Sequence, residues 1–264
     1  MKYIILSDIH GNIYALQECM KYIEKMKFDA MIWLGDYITD IPKSHEVIQY
    51  IKECTNKYKC YIIRGNREKY ILEYHNHQHK DWKVNTRQAN IVYTYEELTK
   101  QDIEWIEKLP ETIEIKSEDG NIYVSHKLEE KINKNYQYKL FGHIHNQHNY
   151  LKDGVRYINP GSVGITTDEI QKAQFAILEI TKKYCKIEEY NVNYDINSAI
   201  DEIRKSKIYS DDYQWGKIIE VTLLTGKDYI YNCVTKYHEL KEKTKVEEES
   251  IELWKKAMQI IIES

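Results

Sequence analysis

Five short runs of apolar residues in this chain end in the same way, with a residue able to bind a metal within two positions. The run ends are Leu6-Ser7-Asp8, Leu34-Gly35-Asp36, Arg64-Gly65-Asn66, Val124-Ser125-His126 and Phe141-Gly142-His143. Short apolar runs that stop at small and polar residues are typical of buried β-strands entering loops. Because the strands of one sheet end along one edge, where α/β proteins bind ligands, the pattern predicts that these side chains converge.

The spacing between the first three runs predicts an α/β fold. Residues 13–26 carry apolar side chains at helical spacing, and a second helix is predicted from about Pro42, between strands at 30–34 and 60–63. Strands that alternate with helices indicate βαβ units and a parallel sheet. The segment 68–109 is predicted to be mostly helical, and Thr99 and Asp102 resemble a capping box.

From Thr112 the pattern changes to β-structure. A hairpin is predicted from 112–115 and 122–124, followed by strands at 138–141 and 157–159 and a last hairpin at 175–180 and 185–190. Helical spacing returns from about residue 195, without a Pro- or Ser-rich linker before it. We therefore expect a core of residues 1–192 and a helical extension of residues 193–264 that packs on the core.

Charge and composition narrow the class of protein. The 264 residues are 42% hydrophobic and 30% charged, which is enough for one large domain or two small ones. The net charge of −4 argues against a nucleic-acid or anionic membrane surface, and no apolar run reaches the length of a membrane span. The five dispersed cysteines fit reduced thiols better than a disulfide framework, so we expect a cytoplasmic protein. The oligomeric state is left open.

Seven candidate ligands follow the strands, because His10 and His145 each lie two residues beyond the first ligand of their loop. The full set is Asp8, His10, Asp36, Asn66, His126, His143 and His145. Seven ligands exceed the needs of one tetrahedral zinc and suit two metals that share a carboxylate. The mixture of imidazole, carboxylate and amide favours Mn, Fe, Zn, Co or Ni over Mg or Ca, and we favour Mn. Any one histidine alone could be an ordinary loop residue.

In this order, the motifs resemble those of the calcineurin-like metallophosphoesterases, most closely the small bacterial phosphatase and phosphodiesterase branch. They are Asp8-Ile9-His10, Gly35-Asp36, Gly65-Asn66-Arg67-Glu68, His126 and Gly142-His143-Ile144-His145. The resemblance spans roughly residues 1–192 and implies a four-layer α/β/β/α sandwich of two mixed sheets. It implies that one metal is held by Asp8, His10 and His145. The other would be held by Asn66, His126 and His143, and Asp36 would bridge the two metals.

The resemblance also implies a reaction, the hydrolysis of a small phosphodiester or phosphomonoester by a hydroxide that bridges the two metals. The alternative is a scaffold of the same fold that binds a protein partner and has weak or no catalysis. The complete ligand set argues against the scaffold, since a scaffold does not need it. A nuclease would need a basic track that the net charge does not suggest.

The chain departs from the family pattern at Arg67. Much of the family has a histidine there, which is thought to protonate the leaving group, whereas a guanidinium cannot act as a general acid near neutral pH. Arg67 can instead bind phosphate oxygens, or it can pair with a nearby carboxylate such as Glu68. Asn12 is a second candidate for hydrogen bonding to the substrate or to a ligand. The residues predicted to be catalytic are Asp8, His10, Asp36, Asn66, Arg67 and His126.

Overall fold

The computed structural model describes residues 1–83, 87–117, 119–128, 136–211, 213–246 and 250–263. The strands are β1 (Lys2–Leu6), β2 (Ala30–Trp33), β3 (Cys60–Ile62), β4 (Thr112–Ile115), β5 (Ile122–Ser125), β6 (Tyr138–Leu140), β7 (Gln147–Lys152), β8 (Val155–Pro160), β9 (Ala173–Ile180) and β10 (Cys185–Val192). The helices are α1 (Ile13–Ile23), α2 (Ser44–Lys57), α3 (Asn66–His75), α4 (Ala89–Glu97), α5 (Lys100–Lys108), α6 (Ile196–Lys205), α7 (Lys207–Asp211), α8 (Tyr213–Thr225), α9 (Tyr229–Thr244) and α10 (Ile251–Glu263).

The first sheet has the strand order β10-β9-β1-β2-β3. β1, β2 and β3 run parallel, with Tyr3 opposite Ala30 and Trp33 opposite Ile62. The hairpin of β9 and β10 adds two antiparallel strands on the other side of β1. The sheet is therefore mixed, and its three parallel strands end at one edge.

The second sheet has the strand order β4-β5-β6-β8-β7. Its inner strands β5, β6 and β8 are parallel, and β4 and β7 are antiparallel strands at the two edges. β7 was not predicted from the sequence, because five of its six residues are exposed, from His148 to Lys152. A strand in contact with solvent lacks the apolar run that marks a buried strand.

Alternation along β1 separates two apolar cores. Ile4 and Leu6 pack with residues of α1 and α2, whereas Tyr3 and Ile5 pack between the two sheets with residues such as Val124 of β5. Successive side chains of a strand point to opposite faces, so β1 needs apolar residues at every position to be covered on both sides. This arrangement confirms the predicted α/β sandwich of two mixed sheets flanked by helices.

The chain after β10 is helical, as predicted, and packs on the rest of the molecule. Trp254 of α10 lies 5.7 Å from Trp215 of α8 and 5.7 Å from Tyr237 of α9, measured between ring centroids. The same apolar cluster includes Ala89 and Ile165 from the N-terminal part of the chain. The boundary between residues 192 and 193 stays a proposal. None of the described helices is both long and apolar enough to cross a membrane.

Candidate metal centre

Two groups of side chains at the strand ends could each hold a metal ion. One contains Asp8, His10 and His145, and the other contains Asp36, His126 and His143. In each group the candidate ligand atoms all lie within 4.8 Å of one another. Oδ1 of Asn66 lies 3.1 Å from Nε2 of His126 and so joins the second group. We call these the first cluster (Asp8, His10, His145) and the second cluster (Asp36, Asn66, His126, His143).

The candidate ligand atoms of the first cluster lie close together, and Asp8 and His10 are buried. Nε2 of His10 lies 3.1 Å from Nε2 of His145, and Oδ1 of Asp8 lies 3.4 Å from Nε2 of His145. Oδ1 of Asp8 is buried and has no hydrogen-bond partner among the described residues. A buried carboxylate oxygen without a partner is costly. A cation between these three atoms would satisfy all of them, so the residues present fit a metal.

The second cluster is arranged in the same way, and here the hydrogen bonding fixes the histidine tautomer. Nδ1 of His126 donates to the carbonyl oxygen of Leu34 at 2.8 Å. Nε2 of His126 then faces two oxygen atoms, Oδ2 of Asp36 at 3.3 Å and Oδ1 of Asn66 at 3.1 Å. When a metal displaces the proton from Nε2, this nitrogen and both oxygens present lone pairs to one point. That donor set also fits a divalent cation.

Most of the ligand residues share the same strained backbone conformation. Five of them have a positive φ, namely Asp8 (54°), His10 (51°), Asp36 (54°), His143 (73°) and His145 (55°). A residue with a side chain rarely adopts this left-handed conformation, which costs on the order of 1–3 kcal/mol at each position. The conformation turns the chain sharply at each strand end, and such strain persists only where the surrounding structure enforces it.

Backbone hydrogen bonds between the loops provide that enforcement. The carbonyl oxygen of Asp36 accepts from N of Ile9 at 2.8 Å and from N of His10 at 3.0 Å, which fastens the loop after β1 to the loop after β2. The carbonyl oxygen of Asp8 accepts from N of Gly164 at 3.0 Å and from Oγ of Ser162 at 2.7 Å. The ligand loops therefore brace one another.

The small residues before the ligands are explained by close packing. A Cβ atom on Gly142 would lie 2.0 Å from Oγ of Ser7 and 2.7 Å from Oδ2 of Asp8. A Cβ atom on Gly65 would lie 2.2 Å from Oδ1 of Asp36. Both glycines make room for the carboxylate of a ligand on another strand.

The side-chain charges of both clusters favour a cation. Burial acts to raise the pKa of Asp8, but His145 and His126 outweigh burial and lower this pKa to about 2. Burial also opposes ionisation of Asp36, and His126 outweighs it and holds the pKa of Asp36 well below its usual range. Burial acts to lower the pKa of His126, yet Asp36 raises it to about 9. Both carboxylates are therefore ionised at neutral pH, and their negative charge favours a cation beside the ring nitrogens, either a proton or a metal ion.

Asp40 is a residue of the site that the sequence did not reveal. Its carboxylate is buried, and Oδ2 lies 3.0 Å from Nδ1 of His10 and 3.2 Å from Nη2 of Arg67. Oδ1 accepts from Nδ2 of Asn90 at 2.8 Å. Burial acts to raise the pKa of Asp40, but Arg67 and His10 outweigh it and hold the pKa below its usual range. Thr39, directly before it, has a φ of 78°, a strained value for a β-branched residue.

Arg67 pairs with Asp40, and Glu68, the carboxylate that the sequence suggested, is engaged elsewhere. Oε2 of Glu68 accepts from the backbone N of Gly65 at 2.7 Å and of Asp36 at 2.9 Å, which fixes the start of α3 against the loop after β2. N of Arg67 also donates to Oδ1 of Asp36 at 2.8 Å. The Arg67 side chain is 20% exposed and lines the larger cavity described below.

Asn12 lies in the loop after β1, and its role in hydrogen bonding to the substrate or to a ligand stays a prediction. The residue is fully buried. Its Oδ1 accepts from N of Ala15 at 3.1 Å and caps α1, and its Nδ2 donates to the carbonyl oxygen of Gly164 at 2.9 Å. Both ends of the amide are bonded within the protein, so Asn12 joins the start of α1 to the loop that contains Gly164.

Two cavities border the second cluster, and both reach Asn66. The smaller, about 300 Å³, also touches His126. The larger, about 440 Å³, also touches His143 and Arg67 and continues beneath the C-terminal helices. A separate cleft of about 510 Å³ between α2, α4 and α6 touches neither cluster.

Comparison with known proteins agrees with this geometry. The model of the calcineurin-like phosphoesterase superfamily domain matches residues 1–183. The chain therefore belongs to the calcineurin-like phosphoesterase superfamily, as the ordered motifs predicted.

Individual relatives are distant. An uncharacterized protein of Methanocaldococcus jannaschii is 25% identical over 233 residues, which are 77% of this chain and 92% of that protein. A solved structure of a hypothetical protein from Pyrococcus horikoshii OT3 has a TM-score of 0.69 at 21% identity and covers 83% of this chain and 97% of that chain. A metallophosphoesterase from Sphaerobacter thermophilus has a TM-score of 0.63 at 18% identity, covering 86% and 100%. At these identities the two structures establish a shared fold.

Proposed function

We propose that this protein is a metal-dependent hydrolase of small phosphate esters. The observation that carries the proposal is the pair of clusters, in which two buried carboxylates, an amide and four imidazoles present lone pairs to two points beside a cavity. In the proposed assignment, Asp8, His10 and His145 would hold one divalent metal. Asn66, His126 and His143 would hold the second, and the carboxylate of Asp36 would be shared by the two.

The metals, when bound, would lower the pKa of a water molecule and neutralise charge on the phosphoryl oxygens. The chain's own residues supply orientation. Oδ2 of Asp40 lies 3.0 Å from Nδ1 of His10, and the carbonyl oxygen of Leu34 accepts a hydrogen bond from Nδ1 of His126. Partners of this kind fix the orientation of metal-binding imidazoles. Arg67 adds N–H donors for phosphate oxygens beside the second cluster.

The donor set also informs the choice of metal. Four imidazoles together with two carboxylates and one amide favour a transition metal over Mg or Ca, and we propose Mn as the metal to test first. The cytoplasmic location stays a prediction from the cysteine pattern, and all five cysteines are unpaired in the structure.

A turnover assay tests this function. The protein is stripped with a chelator and then assayed with p-nitrophenyl phosphate and bis(p-nitrophenyl) phosphate, with and without added Mn²⁺. We expect turnover only with metal, and none for Asp36→Ala. The matched control is Asp153→Ala, because Asp153 also has a positive φ (50°) but lies in an exposed turn. Metal-loaded wild-type protein without turnover would favour the scaffold, and an active, metal-loaded Asp36→Ala variant would refute the role of Asp36.

A further inference from the structure

The two cavities that border the second cluster differ in chemistry. Five of the eleven residues that line the smaller one are charged, namely Arg64, Lys69, Glu73, Glu111 and Lys127, and Tyr70 lines both cavities. The larger one is lined by aromatic and aliphatic side chains, namely Tyr70, Trp82, Trp215, Trp254, Ile91, Ile230 and Val234. A ligand whose phosphate lies at the clusters would therefore meet a polar surface on one side and an aromatic surface on the other.

The aromatic side chains of the larger cavity are held in place by neighbouring rings. Trp82 is half-buried, and its ring stacks on His79 with 4.0 Å between centroids and meets the edge of Tyr70 at 6.0 Å. Trp215 is buried against Trp254. Rings fixed in this way lose little conformational entropy when a flat group stacks on them.

Two guanidinium groups also lie at the larger cavity. Arg67 and Arg87 both line it, and its described lining residues include no carboxylate. Asp40 pairs with Arg67, and the guanidinium of Arg87 lies 5.5 Å from the ring centroid of Tyr237. Two guanidinium groups beside aromatic rings suit an anion joined to a planar ring.

We propose that the substrate is a phosphate ester that carries an aromatic or heteroaromatic ring, and that this ring binds in the cavity between α3, α4 and the C-terminal helices. This inference rests on the proposed function, since the phosphate is placed at the two clusters. The volume of about 440 Å³ lies within the range of small-molecule sites. Binding of the ring in this cavity would also give the helices after residue 192 a role. One wall of the cavity is formed by Trp215, Ile230, Val234 and Trp254.

The test uses two diesters with the same leaving group, methyl p-nitrophenyl phosphate and phenyl p-nitrophenyl phosphate, with Mn²⁺ present. We expect the wild-type protein to hydrolyse the phenyl ester with a kcat/KM at least about fivefold higher, the low end of what ring stacking contributes. Trp82→Ala should lower the phenyl-to-methyl ratio about fivefold. A comparison of the ratio between variant and wild type cancels the intrinsic reactivity of the two esters.

Two further variants complete the test. Ile230→Trp, which fills the cavity, should also lower the ratio. Tyr231→Ala is the matched control, because Tyr231 is the next residue on α9, is 65% exposed and lies outside the cavity. Far-UV circular dichroism establishes that each variant is folded. A ratio that stays at the wild-type value in both cavity variants would overturn the inference.

Binding of phosphonates distinguishes a failure of the aromatic preference from a failure of the proposed hydrolase function. Phenylphosphonate should bind to the Mn²⁺-loaded wild-type protein at least about fivefold more tightly than methylphosphonate. Equal affinity would overturn the aromatic preference even if both esters are hydrolysed. Preferential binding of phenylphosphonate without turnover of either ester would contradict the proposed function and leave the ligand class standing.

Discussion

Oδ2 of Asp40 lies 3.0 Å from Nδ1 of His10 and 3.2 Å from Nη2 of Arg67. The other ring nitrogen of His10, Nε2, faces His145 in the first cluster. One buried carboxylate thus orients a proposed metal ligand and a proposed phosphate-binding residue at the same time. A carboxylate can only accept, so it favours the tautomer in which Nδ1 carries the proton and Nε2 faces the metal position.

Asp40→Asn should weaken metal binding without removing any proposed ligand. The amide is uncharged, so it holds the His10 ring less firmly and lowers the basicity of Nε2. Loss of such an outer partner typically costs about 10- to 100-fold in metal affinity. Titration calorimetry with Mn²⁺ on the chelator-stripped protein measures this change, and we expect the weakened site to be the one formed by the first cluster.

The control for Asp40 is Asp102→Asn. Asp102 is also buried beside a histidine, with Oδ2 2.7 Å from Nδ1 of His45, and it forms the predicted capping box with Thr99. Its loss should lower the free energy of unfolding by about 1–3 kcal/mol and leave Mn²⁺ affinity unchanged. Equal weakening of metal binding in both variants would mean that Asp40 acts only through overall stability.

Gly142→Ala should displace the carboxylate of Asp8. The added methyl group would overlap Oγ of Ser7 and Oδ2 of Asp8, so the ligand must move by several tenths of an ångström or more. Metal sites tolerate displacements of only about 0.5 Å, and we expect at least a tenfold loss of Mn²⁺ affinity, measured by calorimetry.

Gly154→Ala tests whether any glycine replacement would do the same. Gly154 has a φ of 78° and nothing within 4 Å of the added Cβ. It should cost about 1 kcal/mol of stability through backbone strain, with Mn²⁺ affinity unchanged. If Gly142→Ala binds Mn²⁺ as tightly as Gly154→Ala, the added methyl group at position 142 does not displace the carboxylate of Asp8.

Arg67→Ala should lower kcat/KM for an active phosphate ester by about 10- to 100-fold, the worth of one charge-assisted hydrogen bond. Arg67→Lys keeps the charge but not the planar fork, so it should recover part of the loss. Steady-state kinetics with both variants provide the comparison. Arg204→Gln, which breaks an ion pair with Glu220 on the C-terminal helices, is the control. Unchanged kcat and KM in Arg67→Ala would exclude a contact with the substrate.

Much of the fold could be predicted because its strands are buried. Apolar runs such as Tyr3 to Leu6 mark strands that are covered on both faces, and the ligands lie directly after them. α1 ends at Ile23, three residues before the predicted Met26, because helix ends depend on local capping more than on apolar spacing. The exposed edge strand β7 carries no such run and could not be recognised.

The rest of the site depends on contacts that no local pattern records. Asp40 reaches His10 because Thr39 and Asp40 both adopt a positive φ, which their residue types do not predict. The aromatic cavity joins Trp82 to Trp215, residues that are distant in sequence and meet only when the C-terminal helices pack on the core. Sequence spacing can indicate which residues bind a metal, but not which residues hold them in place.

The most direct test of the account is the number of metal ions bound per chain. Chelator-stripped protein is reloaded with Mn²⁺, desalted and analysed by mass spectrometry of the metal, for the wild type, His145→Ala and His126→Ala. Two ions in the wild type and one in each variant would support two separate clusters at the strand ends. Wild-type protein that binds no Mn²⁺, Zn²⁺ or Fe²⁺, or variants that both retain two ions, would contradict it.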